Sequence, residues 1–346
     1  MADRRTHPFT LAGLIVTALM LCGAGPSPTG LQRDVVFSQA APLASSAELV
    51  RRLLSPLAAE RVRAAIAASG KVLNEQSIAL PEESFILYVP PAPPPPRGYG
   101  LLVFVPPWEE ARLPPDWPPV LDRLGVIAVS AARSGNRADI FGRRAPLAVI
   151  AAQNVMARYP VDPDRVYIAG FSGGSRVAMR LVLGYPDLFA GAILNAGSDP
   201  VGEGEAPLPP RELLDQFVSQ SRLVYVTGGQ DAVNLDADLA SQSAMSRACM
   251  TAIDTDIAAH AGHEVMDHAA LAQALTQLDG RKPVDPQRLA ACRTALDAKI
   301  AAGLNAVQVQ LAAGHVDAAR RALLDLDRRY GGLAAPRSVA LWREAR

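Results

Sequence analysis

The sequence predicts a doubly wound α/β core, a mostly parallel β-sheet with helices on both faces. Three observations predict it. Short apolar runs rich in β-branched residues recur at 101–105, 126–130, 166–169, 192–194 and 223–227. Helical stretches lie between several of them, at 118–124, 146–159 and 175–184. The runs are continuously apolar rather than alternating, which marks strands buried on both faces. Together they place the core at about residues 80–280.

The elements before the core follow in order. Arg4 and Arg5 precede an apolar run at 9–21, and small or turn-forming residues follow from Gly23 to Pro28. This pattern predicts that 1–25 is a signal peptide, with an uncleaved membrane anchor as the alternative, and that the protein is periplasmic or extracellular. Ser38-Gln39-Ala40 offers a small-x-small cleavage pattern, although far from the apolar run. Cys22 follows Leu19-Met20-Leu21 as in a lipoprotein signal, but such signals want a small residue where Leu21 stands. Residues 26–79 read as a linker and an N-terminal helix. That helix, at 46–68, is capped by Ser46, carries Leu49, Leu53, Leu57, Val62 and Ile66 on one face, and is broken or kinked at Pro56. A strand follows at 84–90. The proline-rich stretch 91–96 must be a surface connection, because its prolines cannot donate ladder hydrogen bonds.

The catalytic domain is assigned to 80–283 and a helical appendage to 284–346. Helices are expected at 286–302, 307–313 and 316–330, with Gly314 between the second and third and Asp317 in the first turn of the third. Residues 314–323 resemble part of a tetratricopeptide-type hairpin. Stable arrays need about three copies or more, and one is found. The expectation is a helical piece packed on the core, with a protein partner for this tail as the alternative.

Composition narrows the function. The 346 residues are 49% hydrophobic and 20% charged, enough for a sizeable core. Lys and Arg total 34 and so do Asp and Glu; without a basic stripe, nucleic acid is not an expected partner. The cysteines are Cys22, Cys249 and Cys292, and no C-x-x-C or H-E-x-x-H spacing points to a metal. Removal of the leader leaves two cysteines, which permits one disulfide in an oxidising compartment. Both read as lying in helices, and two separate buried thiols are the favoured expectation.

The chemistry concentrates in Val166-Tyr167-Ile168-Ala169-Gly170-Phe171-Ser172-Gly173-Gly174-Ser175: apolar strand, G-x-S-x-G, then helix. A nucleophilic Ser there must sit on a tight, strained turn so that its Oγ projects from the sheet. Gly170 and Gly174 leave room for close backbone approach. The Gly173 N–H, at a helix N-terminus, is a candidate oxyanion donor. Ser172 needs a base, and in this type of site the acid and then the His follow it in the chain. His263, preceded by Gly262 in a loop after 257–259, is the candidate base, with His260 and His268 behind it. Asp231 ends a glycine-rich loop after a buried strand and is the candidate acid, with Asp236 and Asp238 as fallbacks.

Ser172 with 185–192, Thr227-Gly228-Gly229-Gln230-Asp231 and Gly262-His263-Glu264 together resemble the polyhydroxybutyrate depolymerase and feruloyl esterase group of α/β-hydrolases, over roughly 84–279. The resemblance implies an α/β-hydrolase fold, a Ser-Asp-His triad, an acyl-enzyme intermediate, no cofactor, and secreted action on a small-molecule or polymeric ester. One departure stands out. The family carries a His-Gly-Gly type turn after its third strand, and this chain has Val105-Pro106-Pro107-Trp108. Prolines have no N–H, so the Trp108 N–H is the remaining second oxyanion donor. Phe171 and Arg133, the latter in Arg133-Ser134-Gly135-Asn136, are expected to line the substrate side. Two rival functions remain: a serine peptidase of the prolyl-oligopeptidase type, and a non-catalytic binding protein with a vestigial triad.

Overall fold

The computed structural model describes residues 28–202, 206–280 and 284–345. The basic residues and apolar run of the expected leader, with Cys22 and His7, lie outside them. No helix among the described residues is long and apolar enough to cross a membrane.

Eight strands form one sheet: β1 (Gly30–Val35), β2 (Phe85–Val89), β3 (Tyr99–Val105), β4 (Val126–Ala131), β5 (Val161–Phe171), β6 (Gly191–Asn195), β7 (Arg222–Gly228) and β8 (Ile253–Ala258). Their order across the sheet is β1-β2-β4-β3-β5-β6-β7-β8. The pairs β1/β2 and β2/β4 are antiparallel, and the pairs from β4 through β8 are parallel. This is the mostly parallel sheet with helices on both faces that the sequence predicts. Strands β3, β4, β6 and β7 are buried along their whole length and β5 from Val166 onward, and their side chains divide by parity. Leu101, Val103 and Val105 of β3 face one hydrophobic cluster, while Leu102 and Phe104 face the other. Helices α4 (Ala145–Arg158) and α5 (Gly173–Gly184) fill the first cluster with residues such as Val149, Val177 and Leu181. The second is covered by α3 (Pro118–Leu124) and α8 (His268–Asp279) through Leu121, Leu271 and Leu275.

The N-terminal region differs from its reading as linker plus one helix. Strand β1 is an edge strand whose polar sequence, Gly-Leu-Gln-Arg-Asp-Val, carries no apolar run because only one neighbour pairs with it. Phe37 just beyond it is fully buried against Phe85, with ring centroids 4.7 Å apart. Cleavage after Ala40 would remove both, so Ser38-Gln39-Ala40 is a poor processing site. The expected helix 46–68 is two helices, α1 (Ser46–Leu53) and α2 (Pro56–Ala68). Ser45 rather than Ser46 caps the first. Ser55 caps the second, and Pro56 sits in its first turn, where a missing N–H costs nothing.

The C-terminal region also differs. Residues 286–312 form one continuous helix, α9 (Pro286–Ala312), where two were expected. Gly303 falls in the gap left between those two, and it is a contact position: a Cβ there would lie 2.6 Å from Leu326 Cδ2 of α10 (Val316–Tyr330). A further helix, α11 (Arg337–Glu344), packs against α2, where Arg343 pairs with Glu60. Ile300, Leu304, Leu323 and Leu341 join the first core cluster, so the appendage shares the core of the sheet domain. Cys249 and Cys292 form a disulfide with Cα atoms 5.9 Å apart, which corrects the expectation of separate thiols. Cys249 lies just past the end of α7 (Ala232–Arg247), and α9 brings Cys292 to it.

Candidate active site

Strand β5 ends at Phe171 and α5 begins at Gly173, so Ser172 alone makes the turn. Its backbone sits at φ 56°, ψ −121°, a strained conformation for a residue with a Cβ. The flanking glycines make that turn sterically allowed. A Cβ on Gly170 would collide with the Gly174 carbonyl, and one on Gly174 would strike the Val105 backbone. The Ser172 N–H is committed to the Asn195 carbonyl at 2.9 Å.

Ser172, His263 and Asp231 come together at the C-terminal ends of β5, β8 and β7. His263 Nε2 lies 3.0 Å from Ser172 Oγ, and His263 Nδ1 lies 2.6 Å from Asp231 Oδ2. Gly228 and the 261–262 backbone pack so closely that a Cβ on Gly228 would overlap both carbonyls there. Asn195 secures the far side of the His loop: its Oδ1 accepts from the Met266 N–H at 2.8 Å, and its Nδ2 donates to Val226 O at 2.9 Å. The His263 side chain is 44% exposed, so the site opens to solvent.

Asp231 also caps α7, and a neighbour that sequence reasoning missed holds it. Asn234 Nδ2 donates to both carboxylate oxygens, at 2.9 and 2.8 Å, and lies 3.1 Å from His263 Nδ1. The only local signal is the Asp-x-x-Asn spacing at the start of a helix. Burial opposes ionisation of Asp231, but hydrogen bonds from His263 and then Asn234 outweigh it and hold the carboxyl below its usual range.

The other candidates lie elsewhere. Asp238 is no solvated loop charge: it is buried and accepts from Ser198, from Thr227 Oγ1 and from the Gly197 N–H, and burial raises its pKa. Asp236 and His260 are exposed, and His268 faces Asp116 at 3.4 Å.

The Gly173 N–H opens α5 directly after Ser172, and neither it nor the Trp108 N–H has an acceptor among the described residues. Asn136 lies over Gly173, where a Cβ would come within 2.8 Å of its Cγ. Phe171 stacks near His263 with centroids 4.9 Å apart, and Trp108 stands 6.4 Å from Phe171 with Arg112 over its ring at 4.1 Å. Arg133 does not line this side. Its guanidinium bonds the Glu82 carbonyl and the buried Glu83 carboxylate, from a backbone in the left-handed region at φ 53°. A cavity of about 630 Å³, lined in part by Arg247, Leu296, Lys299 and Tyr330, lies between the core and the C-terminal helices and holds none of these groups.

No family model matches the chain. A 53-residue segment is 45% identical to a protein of Nocardia uniformis subsp. tsuyamanensis named "Putative esterase NocK", covering 15% of this chain and 13% of that one. A 99-residue segment is 28% identical to poly(3-hydroxybutyrate) depolymerase of Ralstonia pickettii, covering 25% of this chain and 20% of that one. The chain thus spans a fifth or less of each relative's length. Among solved structures, S-formylglutathione hydrolase (FrmB) of Staphylococcus aureus matches with a TM-score of 0.44 at 15% identity, over 57% of this chain and 92% of that one.

Proposed function

We propose that this chain is a serine-dependent carboxylic ester hydrolase, exported from the cytoplasm, that acts through an acyl-enzyme intermediate. The observation that carries the reading is the Asp231–His263–Ser172 relay, with its Ser on a strained strand-to-helix turn. In the first half-reaction Ser172 Oγ attacks the ester carbonyl carbon while His263 Nε2 takes the hydroxyl proton. Asp231 fixes the ring through Nδ1 and stabilises the imidazolium. The N–H groups of Gly173 and Trp108 receive the oxyanion. Collapse expels the alcohol, which takes the proton from His263. A water, deprotonated by the same imidazole, then attacks the acyl-enzyme and releases the carboxylic acid.

The two short segment matches to proteins named as an esterase and a depolymerase support the ester class. Export is supported by the basic-apolar-small pattern of the N-terminus and by the Cys249–Cys292 bridge, since such bonds persist in oxidising compartments. The test is hydrolysis of a p-nitrophenyl ester series by wild type and by Ser172→Ala. Loss of the nucleophile should lower kcat by about a million-fold. Equal rates from the two folded proteins would rule the reading out.

A further inference from the structure

Pro106 and Pro107 cannot donate hydrogen bonds, so the turn that presents the Trp108 N–H has little means of bracing itself. External donors hold its carbonyls instead. The Asn136 N–H donates to Pro107 O at 3.0 Å, and Arg144 donates through a terminal guanidinium nitrogen to Pro106 O at 2.9 Å. Arg144 Nε donates at the same time to Ser134 O at 3.0 Å. One guanidinium therefore ties together the 105–108 turn and the 133–136 loop. The two segments touch closely: the Arg133 N–H reaches Glu109 O at 2.6 Å, and a Cβ on Gly135 would fall 2.8 Å from the Trp108 carbonyl carbon. Both pack on the N-terminal turn of α5, where a Cβ on Gly174 would come within 3.3 Å of the Pro106 carbonyl carbon.

Arg144 is an expensive residue in that place. It is 4% exposed, and no carboxylate among the described residues forms an ion pair with it. Burial lowers its pKa to about 10, so it stays charged at neutral pH. A buried cation whose hydrogen bonds go to backbone carbonyls, with the Glu109 carboxylate acting on it only through space, regains little of what its desolvation costs. The planar fork of a guanidinium does, however, fix two acceptors relative to each other in a way that an ammonium cannot.

We propose that Arg144 is a positioning residue for the oxyanion hole: it clamps the Pro106 and Ser134 carbonyls and thereby aims the Trp108 N–H at the oxygen of the attacked carbonyl. The proposal rests on the esterase reading above. It supplies what the Pro-Pro turn lacks, a rigid anchor for a donor whose neighbours have no N–H. Because an oxyanion donor acts mainly on the transition state, the clamp should be felt in kcat more than in KM.

The experiment compares Arg144→Lys and Arg144→Met with wild type on p-nitrophenyl acetate, with active sites counted by a fluorophosphonate that phosphonylates Ser172 stoichiometrically, releasing fluoride. Lysine keeps the charge but lacks the planar fork that fixes the two carbonyls relative to each other, and methionine holds neither. Per active site, kcat should fall about tenfold in Arg144→Lys and about a hundredfold in Arg144→Met, with KM within about twofold of wild type. Unchanged kcat in both variants overturns the proposal. So does a wild-type rate in Arg144→Lys beside a loss in Arg144→Met, which would assign the effect to charge rather than to the clamp. If Arg144→Met does not fold, the lysine variant decides alone. Wild-type hydrolysis that does not depend on Ser172 would defeat the esterase reading itself, a result separable from unchanged Arg144 variants of an active enzyme.

Discussion

Breaking the Cys249–Cys292 bridge should lower the thermal midpoint of the protein by several degrees. The two cysteines are 43 residues apart in the chain. In the chain-entropy model a closed loop of that length removes about 13 cal/mol/K from the unfolded ensemble, or about 4 kcal/mol at 25 °C. In a chain of this size each kcal/mol moves Tm by about 2 °C, so the expected loss is about 8 °C. The segment so closed contains β8, the His263 loop and α8, and its ends are a core residue and the first turns of the appendage helix. Cys292→Ser is the cleaner variant, because Cys292 is half-buried whereas Cys249 is fully so, and a hydroxyl at 249 would add a burial penalty. The assay is thermal denaturation of wild type with and without dithiothreitol, beside Cys292→Ser, with thiols counted by Ellman's reagent. The variant should match reduced wild type and be insensitive to reductant. A reduced wild type with two titratable thiols and an unchanged Tm would refute the reasoning, by showing that the unfolded chain gains nothing from release of this loop.

Three further outcomes follow from the geometry. Asn234→Leu removes the amide donor that helps hold the Asp231 carboxyl low; that carboxyl should rise, and the acid-side loss of kcat/KM should begin at higher pH than in wild type. Gly174→Ala places a methyl against the Val105 backbone, which cannot swing aside as a side chain can, so urea titration should show a loss of at least about 3 kcal/mol or no folded protein. Asp327, buried with one oxygen on Ser55 and the other without a partner, has its pKa raised by burial. Its contribution is therefore most favourable below the unfolded carboxyl pKa and is lost as pH rises through the folded value. Asp327→Asn should accordingly gain stability relative to wild type between pH 4 and pH 7 in paired urea titrations, and a gap independent of pH would speak against this.

The parts of the molecule legible in sequence are those whose causes are local. Strands buried on both faces need uninterrupted apolar residues, so 101–105 and 223–227 declare themselves. The Ser172 turn needs glycines at fixed offsets, so it does too. Asp231 and His263 could be ranked because each sits in a glycine-containing loop after an apolar run. What stayed hidden depends on partners distant in the chain. Strand β1 owes its conformation to pairing with β2, some fifty residues away, and its own residues carry no strand pattern. Gly303 falls in a gap between two expected helices until Leu326 is seen against it. The disulfide needs α9 to return across the end of α7. Arg133 was the arginine expected at the site and Arg144 was not, yet the first bonds Glu83 while the second holds the Pro106 carbonyl.

The position of β1 also bears on the proposed export. The apolar run ends at residue 21 and the sheet begins at Gly30, with Phe37 plugged into the core soon after. A peptidase that releases an intact fold must cut within that narrow gap. If the run instead remains as an anchor, residues 22–29 are the whole leash, and eight extended residues reach at most about 29 Å. The catalytic face could then sweep only a thin shell above the bilayer, so the length of one short linker would decide whether the enzyme forages in bulk fluid or works at a surface.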